Sequence, residues 1–340
     1  MTTIWTDLSN LPEVHVTEMM MKRFTSHNFI ITTRNYAGMP DLIKKITSDF
    51  LVIGEHPGKG FLAKASGHIS RTLSLIKRLP PFDVAFGFPY IPLVHTANFR
   101  RRPVIIYTDN DFFTWSAFMS LKFSDHILIP NSIDPRNILR LGASSDTLYG
   151  FNGFKEDLYI ADYVPDPNFL DNIPFKEYVV VRPEALKAEY VSTEAKTIVP
   201  DLLRRLEKED MNILYLPRYP EDKLYAKNIK NIHIPSSSIN GLDACYYSKG
   251  VLTGSGTFAR EAAILGIPSV SFYPDPELLS VDKEMIRCGW MIHSRDPKEI
   301  ISYLVNTRKK EFNPNNCKKV QNEVLDMIEK MLWDVGTCKK

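Results

Sequence analysis

Cysteine is scarce: Cys245, Cys288, Cys317 and Cys338 are the only four in 340 residues. They have neither zinc-ligand spacing nor the density of a disulfide framework. They read as reduced thiols of a cytoplasmic protein, and no metal site is expected. Net charge is scarce too. The 42 Lys and Arg against 40 Asp and Glu leave +2, which argues against nucleic-acid binding and against a disordered acidic tail. No apolar run has the length of a membrane span, and residues 1–8 pattern as a strand rather than a secretion signal. Repeats of solenoid period and low-complexity tracts are missing as well.

What is present is alternation. Strand-like runs at 3–7, 29–33, 50–53, 84–86, 104–107 and 126–129 are separated by helical patterns at 14–24, 39–47 and 62–79. The last of these is expected to bury a stripe of Leu62, Ala65, Ile69, Leu73 and Ile76. Pro165, Pro167 and Pro174 interrupt the pattern in a stretch that cannot continue a helix and reads as a linker. Strands at 178–182, 212–216 and 229–234 follow, with helices at 195–207, 240–248 and 297–305 and a final amphipathic helix at 321–332. This predicts an α/β protein with parallel sheets flanked by helices. Two Rossmann-like domains are expected, residues 1–162 and 175–315, with 316–340 as a C-terminal segment. Such sheets bind ligands beyond the carboxyl ends of their strands, so functional residues are sought there.

Residues 251–274 carry the strongest pattern: a strand, the turn Gly254-Ser255-Gly256-Thr257, a helix containing Arg260 and Glu261, then Gly266 and Pro268. Glycines allow close backbone approach, and Ser255 and Thr257 bring hydroxyls to a helix start. The unpaired amides and dipole of that start attract phosphate. Glu261, one turn further in, suits the vicinal hydroxyls of a ribose. A structural turn is the alternative reading.

The whole spacing, Ser-Gly-Thr, Glu261-Ala262, Leu265-Gly266-x-Pro268, resembles the nucleotide-binding segment of two-domain GT-B enzymes. Non-hydrolysing UDP-N-acetylglucosamine 2-epimerases and, more loosely, MurG-like glycosyltransferases carry it, although Thr257 and Arg260 depart from the epimerase pattern. With Asp109 and Asp111 and the segment 149–156, the chain also looks like a family of unknown function common in archaea. The resemblance implies two domains facing across a cleft, with the C-terminal helix returning to the first. It implies a nucleotide-sugar donor, of UDP type as in those families, and metal independence. Arg182, after a strand and followed by Pro183-Glu184, stands where the epimerases have a His-Arg-Arg-Glu-Asn segment. Arg218 is a second phosphate candidate. Asp282 and Arg260 are expected at the sugar. In the loop 233–238 the base would be held by main-chain groups.

In the first domain, Asp109 and Asp111 follow a strand where the epimerases are acidic. They either handle a proton or cap a helix beginning near Phe112. His15 matches the place of a MurG loop histidine, or simply sits in the first turn of a helix. Phe88 and Tyr90 face a ligand ring or belong to the core, and the segment 149–156 reads as a shaped loop or hinge bearing Lys155 and Glu156. Lys59, Lys64, Arg71, Lys77 and Arg100-Arg101-Arg102, beside Phe61 and Leu62, form a solvated face or, as the resemblance to MurG-like transferases implies, a peripheral membrane contact serving a lipid-linked or glycan acceptor. Three activities remain: glycosyl transfer, expected first; epimerisation of the sugar nucleotide; and binding without catalysis.

Overall fold

The computed structural model describes residues 1–36, 38–55, 61–186 and 196–337. It contains two compact units, Met1–Tyr159 with Cys317–Lys340, and Ile160–Asn316.

The first unit carries strands β1 (Thr3–Leu8), β2 (Asn28–Asn35), β3 (Leu51–Glu55), β4 (Val84–Gly87), β5 (Val104–Tyr107), β6 (His126–Pro130) and β7 (Leu148–Phe151). Its helices are α1 (Leu11–Arg23), α2 (Met39–Ile43), α3 (Phe61–Arg78), α4 (Ile91–Phe99), α5 (Trp115–Leu121), α6 (Pro135–Arg140) and α7 (Lys155–Ile160). Among the described residues the strands form one parallel sheet in the order β3-β2-β1-β4-β5-β6-β7. Apolar β-branched and aliphatic runs such as Val104-Ile105-Ile106, all fully buried, suit strands covered on both faces. Asn10 starts α1 with a reciprocal capping box to Glu13, which satisfies two donors at once.

β7 corrects the sequence reading. Leu148–Phe151 is an edge strand paired with β6, register Ile129↔Gly150 and Pro130↔Phe151, not a junction loop. Its two glycine-bracketed aromatics give no alternation to read, and only pairing reveals the strand. The buried stripe of α3 is corrected as well. Ile69 and Leu73 are 63% and 53% exposed, and the inward face presents Arg71, Leu75 and Leu79 instead. Arg71 turns inward because Asp7, at the end of β1, is buried and accepts its Nη2 at 2.6 Å.

The second unit carries β8 (Val179–Arg182), α8 (Val199–Lys208), β9 (Ile213–Tyr215), β10 (Ile232–His233), α9 (Gly241–Tyr246), β11 (Gly250–Thr253), α10 (Gly256–Ile264), β12 (Ser269–Ser271), α11 (Ser280–Arg287), β13 (Ile292–His293) and α12 (Pro297–Asn306). Its parallel sheet runs β10-β9-β8-β11-β12-β13 among the described residues. Val199, Leu202, Leu203 and Leu206 pack one face of α8 onto Val179, Val181, Ile213 and Tyr215. The proline-rich stretch belongs to this unit: Tyr163 donates its hydroxyl to Asp243 at 2.6 Å, and the Asp166 amide donates to the same carboxylate at 3.0 Å.

α13 (Pro314–Thr337) ends the chain on the first unit. Gln321 donates to the Leu158 carbonyl at 2.7 Å, Arg23 reaches Asp326 and Glu329, and Val320 lies where a Cβ on Gly153 would stand.

Candidate functional site

In the second unit the strand order reverses between β8 and β11, the place where open α/β sheets take ligands. The two loops leaving these strands touch there. A Cβ on Gly254 would lie 2.5 Å from Glu184 Cα and 2.8 Å from Glu184 N, so glycine is required by backbone packing. At Gly256 the constraint is milder: a Cβ would meet the side-chain ends Arg260 Nη1 at 3.1 Å and Asp282 Oδ2 at 3.3 Å. Neither glycine has a positive φ.

Ser255 is the N-cap of α10, yet its side chain makes no cap bond, while its amide donates to Thr253 Oγ1 at 3.0 Å. The hydroxyl is thereby left beside first-turn amides that have no intrahelical acceptor. Thr257 Oγ1 accepts from Arg260 Nη2 at 3.3 Å.

Arg182 and Arg218 come together at the carboxyl ends of β8 and β9. The Arg182 guanidinium lies 5.5 Å from the Phe258 ring. Burial first, and then the neighbouring Arg218, push its pKa down to about 10, against the pull of Glu261. It stays cationic near neutrality. Arg218 keeps an enclosed Nε without a hydrogen-bond partner, and among the described residues no carboxylate forms an ion pair with either arginine. A cavity of about 130 Å³ opens beside their chain neighbours Pro183 and Tyr219, and Glu184, Glu221 and Asp222 also line it, so it is the arginines and not this acidic cavity that suit an anion.

Arg260 and Asp282 are paired with each other. Arg260 Nη1 donates to Asp282 Oδ1 at 2.6 Å, with side chains 2% and 8% exposed. Their partnership braces α10 against α11 and occupies the groups expected at a sugar. Glu184 is likewise engaged: it accepts from Thr197 Oγ1 at 2.8 Å and the Ile198 amide at 3.1 Å, holding the start of α8.

In the first unit Asp109 follows β5, buried, and accepts Lys155 Nζ at 2.7 Å. Lys155 lies 3.8 Å from Glu156 and 6.0 Å from the centre of the Phe88 ring. Asp111 turns to another partner, accepting from Asn137 Nδ2 at 2.9 Å. Neither caps a helix at Phe112; α5 begins at Trp115, with Thr114 Oγ1 accepting the Ala117 amide at 3.0 Å. His15 stacks on Tyr159, centroids 5.0 Å apart, and burial lowers its pKa. Lys155 is legible in sequence only as a member of the segment 149–156; its pairing with Asp109 spans 46 positions and has no local signal.

The basic set disperses. Lys59, and the side chains of Lys64, Phe61 and Leu62, lie outside the described residues. Arg71 is buried on Asp7, and Arg100 donates to the carbonyls of Ile76, Leu79 and Pro80, closing the end of α3. Lys77 and Arg101 are exposed. No helix among the described residues is long and apolar enough to cross a membrane, and none of their His, Cys, Asp and Glu side chains cluster as a metal-holding group.

A family profile described as a protein of unknown function, DUF354, matches residues 2–335. The chain belongs to the DUF354 family. An uncharacterized protein of Methanocaldococcus jannaschii is 30% identical over 315 residues, covering 88% of this chain and 90% of its own. The DUF354 chain also shares its fold with solved structures. The UDP-GlcNAc 2-epimerase of M. jannaschii in complex with UDP-GlcNAc and UDP matches with a TM-score of 0.69 at 16% identity, covering 96% of this chain and 99% of that one. MnaA of S. aureus with UDP gives 0.71 at 15% identity, covering 98% and 97%. The Neisseria meningitidis UDP-GlcNAc 2-epimerase bound to UDP-GlcNAc gives 0.69 at 15%, covering 95% and 99%. At such identities the likeness is one of fold: a GT-B-type pair of Rossmann-like units.

Proposed function

We propose that this DUF354 protein is a sugar-nucleotide enzyme that holds a nucleoside diphosphate in its second unit and inverts the sugar at C2. One observation carries the reading: Arg182, after β8 at the switch point, and Arg218, after β9, are near enough for one charge to act on the other, and among the described residues neither has an ion-pairing carboxylate. Adjacent guanidinium groups repel unless an anion offsets them, and a diphosphate supplies that charge with oxygens suited to their forks. Ser255 and the first-turn amides of Gly256 and Thr257 add donors, and the dipole of α10 favours the same charge. Glu261 takes the ribose hydroxyls. The fold relatives bound to UDP support a uridine nucleotide.

In this reading the second unit stabilises the leaving diphosphate. The C1–O bond breaks as the C2 proton is removed, giving a C1–C2 alkene and free nucleoside diphosphate. Re-addition of the diphosphate at C1 and of a proton to the opposite face of C2 gives the epimer. Proton transfer falls to Asp109, Asp111 or His15. Arg260 and Asp282 act by bracing α10.

Transfer of the sugar to a lipid-linked or glycan acceptor is the second reading. It is favoured by Glu184, whose counterpart lies in the epimerase motif but whose carboxylate here anchors α8. Incubation with UDP-GlcNAc alone in D2O, followed by NMR, separates the two. A C2-inverted product carrying deuterium at C2 supports epimerisation, and nucleotide release only on adding an acceptor supports transfer. An inert protein that still binds UDP leaves a binding role and overturns both. Arg182→Ala is expected to weaken UDP binding by about 1–3 kcal/mol in calorimetry; unchanged affinity would remove Arg182 from the site.

A further inference from the structure

The first unit has a switch point of its own, between β1 and β4. The groups gathered at the carboxyl ends of β1, β2 and β4 are Asp7, Arg34, Tyr90 and, from the flanking helices, Glu13 and Arg71. Arg34 is unlike the others. Its guanidinium carbon lies 5.3 Å from the Tyr36 ring and 6.0 Å from the Tyr90 ring. Its Nε is enclosed without a hydrogen-bond partner, and no ion pair to it occurs among the described residues.

The nearby carboxylates are already engaged. Asp7 accepts from Arg71 at 2.6 Å and from Thr32 Oγ1 at 2.7 Å. Glu13 accepts from the Ser9 hydroxyl at 3.1 Å, from the Ser9 amide, and from Asn10 Nδ2 at 2.7 Å. Burial, the largest cause, lifts the Glu13 carboxyl to about 7, so its negative charge near neutrality is incomplete. The Tyr90 hydroxyl, pushed up to about 12 chiefly by burial, keeps its proton and remains a donor.

We infer that Arg34, aligned by Tyr36 and Tyr90, binds a carboxylate or phosphate group of a ligand at the switch point of the first unit. The two rings hold the guanidinium plane by cation–π contact, so its fork is oriented before the anion arrives. Two-point binding through Nε and one Nη, the arrangement in which arginine binds most strongly, requires the enclosed Nε to be uncovered as the anion enters. The site does not depend on the nucleotide reading of the second unit, because its residues all belong to the first.

The test is a titration of the full chain with inorganic phosphate and, separately, with acetate, at constant ionic strength. The background is an Arg182→Gln/Arg218→Gln double variant, which removes the arginines of the second unit. Anion binding is read by equilibrium dialysis of labelled anion. The double variant is expected to retain a saturable site, and adding Arg34→Gln is expected to weaken it about tenfold or more. Arg34→Lys, which keeps charge but not the fork, should lie between. Tighter phosphate than acetate points to a phosphorylated ligand, the reverse to a carboxylic acid, and either supports the site. Equal titrations with and without Arg34→Gln, or no saturable binding in the folded double variant, overturn it. Melting and circular dichroism of each variant identify loss of fold, and Arg34→Lys then carries the comparison.

Discussion

Asp282→Ala separates bracing from sugar binding. Asp282 and Arg260 form an ion pair at 2.6 Å, with side chains 8% and 2% exposed. Removing the carboxylate leaves a guanidinium buried with its pairing charge gone. Breaking a buried pair in this way costs about 3–5 kcal/mol, far more than the roughly 0–1 kcal/mol of an exposed pair. For a domain of 150–250 residues each kcal/mol lowers Tm by about 2–4 °C, so the transition of the second unit should fall by roughly 6–20 °C. Calorimetry gives the shift, and urea unfolding followed by tyrosine and tryptophan signals gives the free energy. Replacing both partners, Arg260→Met with Asp282→Leu, should recover most of the loss, because the desolvation cost leaves with the charges. The reasoning fails if Asp282→Ala melts like the parent protein and loses sugar-nucleotide binding instead. Asp282 would then be a ligand-binding residue that happens to rest on Arg260.

Gly254→Ala forces a Cβ to within 2.5 Å of backbone at Glu184 and should cost at least about 1–3 kcal/mol; an alanine variant as stable as the parent in urea would refute the packing argument. Lys155→Met takes the cation at 2.7 Å away from the buried Asp109 carboxylate and should cost up to about 3–5 kcal/mol, with recovery in Lys155→Met/Asp109→Leu; chemical unfolding of the single and double variants checks it. Glu13 sets a pH dependence. Its carboxyl is raised by burial from 4.5 to about 7, so between those values the folded state holds a proton that the unfolded chain has lost. Its contribution to stability is full below pH 4.5 and is lost as the pH rises through 7, with a slope of at most about 1.4 kcal/mol per pH unit. Glu13→Gln should flatten that part of the stability profile, and an unchanged slope would show that Glu13 is ionised throughout.

Local signals explain what the sequence disclosed. Alternating apolar runs, prolines and glycine-ended helices marked eleven of the thirteen described strands, all but β7 and β13, where pattern and element coincide, as at 104–107 and 251–274. The strand Leu148–Phe151 escaped because its evidence is an edge pairing to β6, which leaves no period in the chain. The helix α4 escaped for another reason: the apolar residues of Ile91–Phe99 are spread around it rather than gathered on one face, so it shows no stripe to read.

Residue chemistry and position after a strand were enough to single out Arg182, Arg218, Asp109 and the turn at residues 254–257. They could not say which charges cancel. Arg71 and Arg260 look like surface or ligand-binding cations in one dimension, and folding turns each onto an aspartate, 64 and 22 positions away. Among the described residues Arg34, Arg182 and Arg218 end without such a partner. Sequence fixes the inventory of charges and the strands that carry them; tertiary contact between distant segments decides which are consumed in holding the fold and which remain to meet an anion.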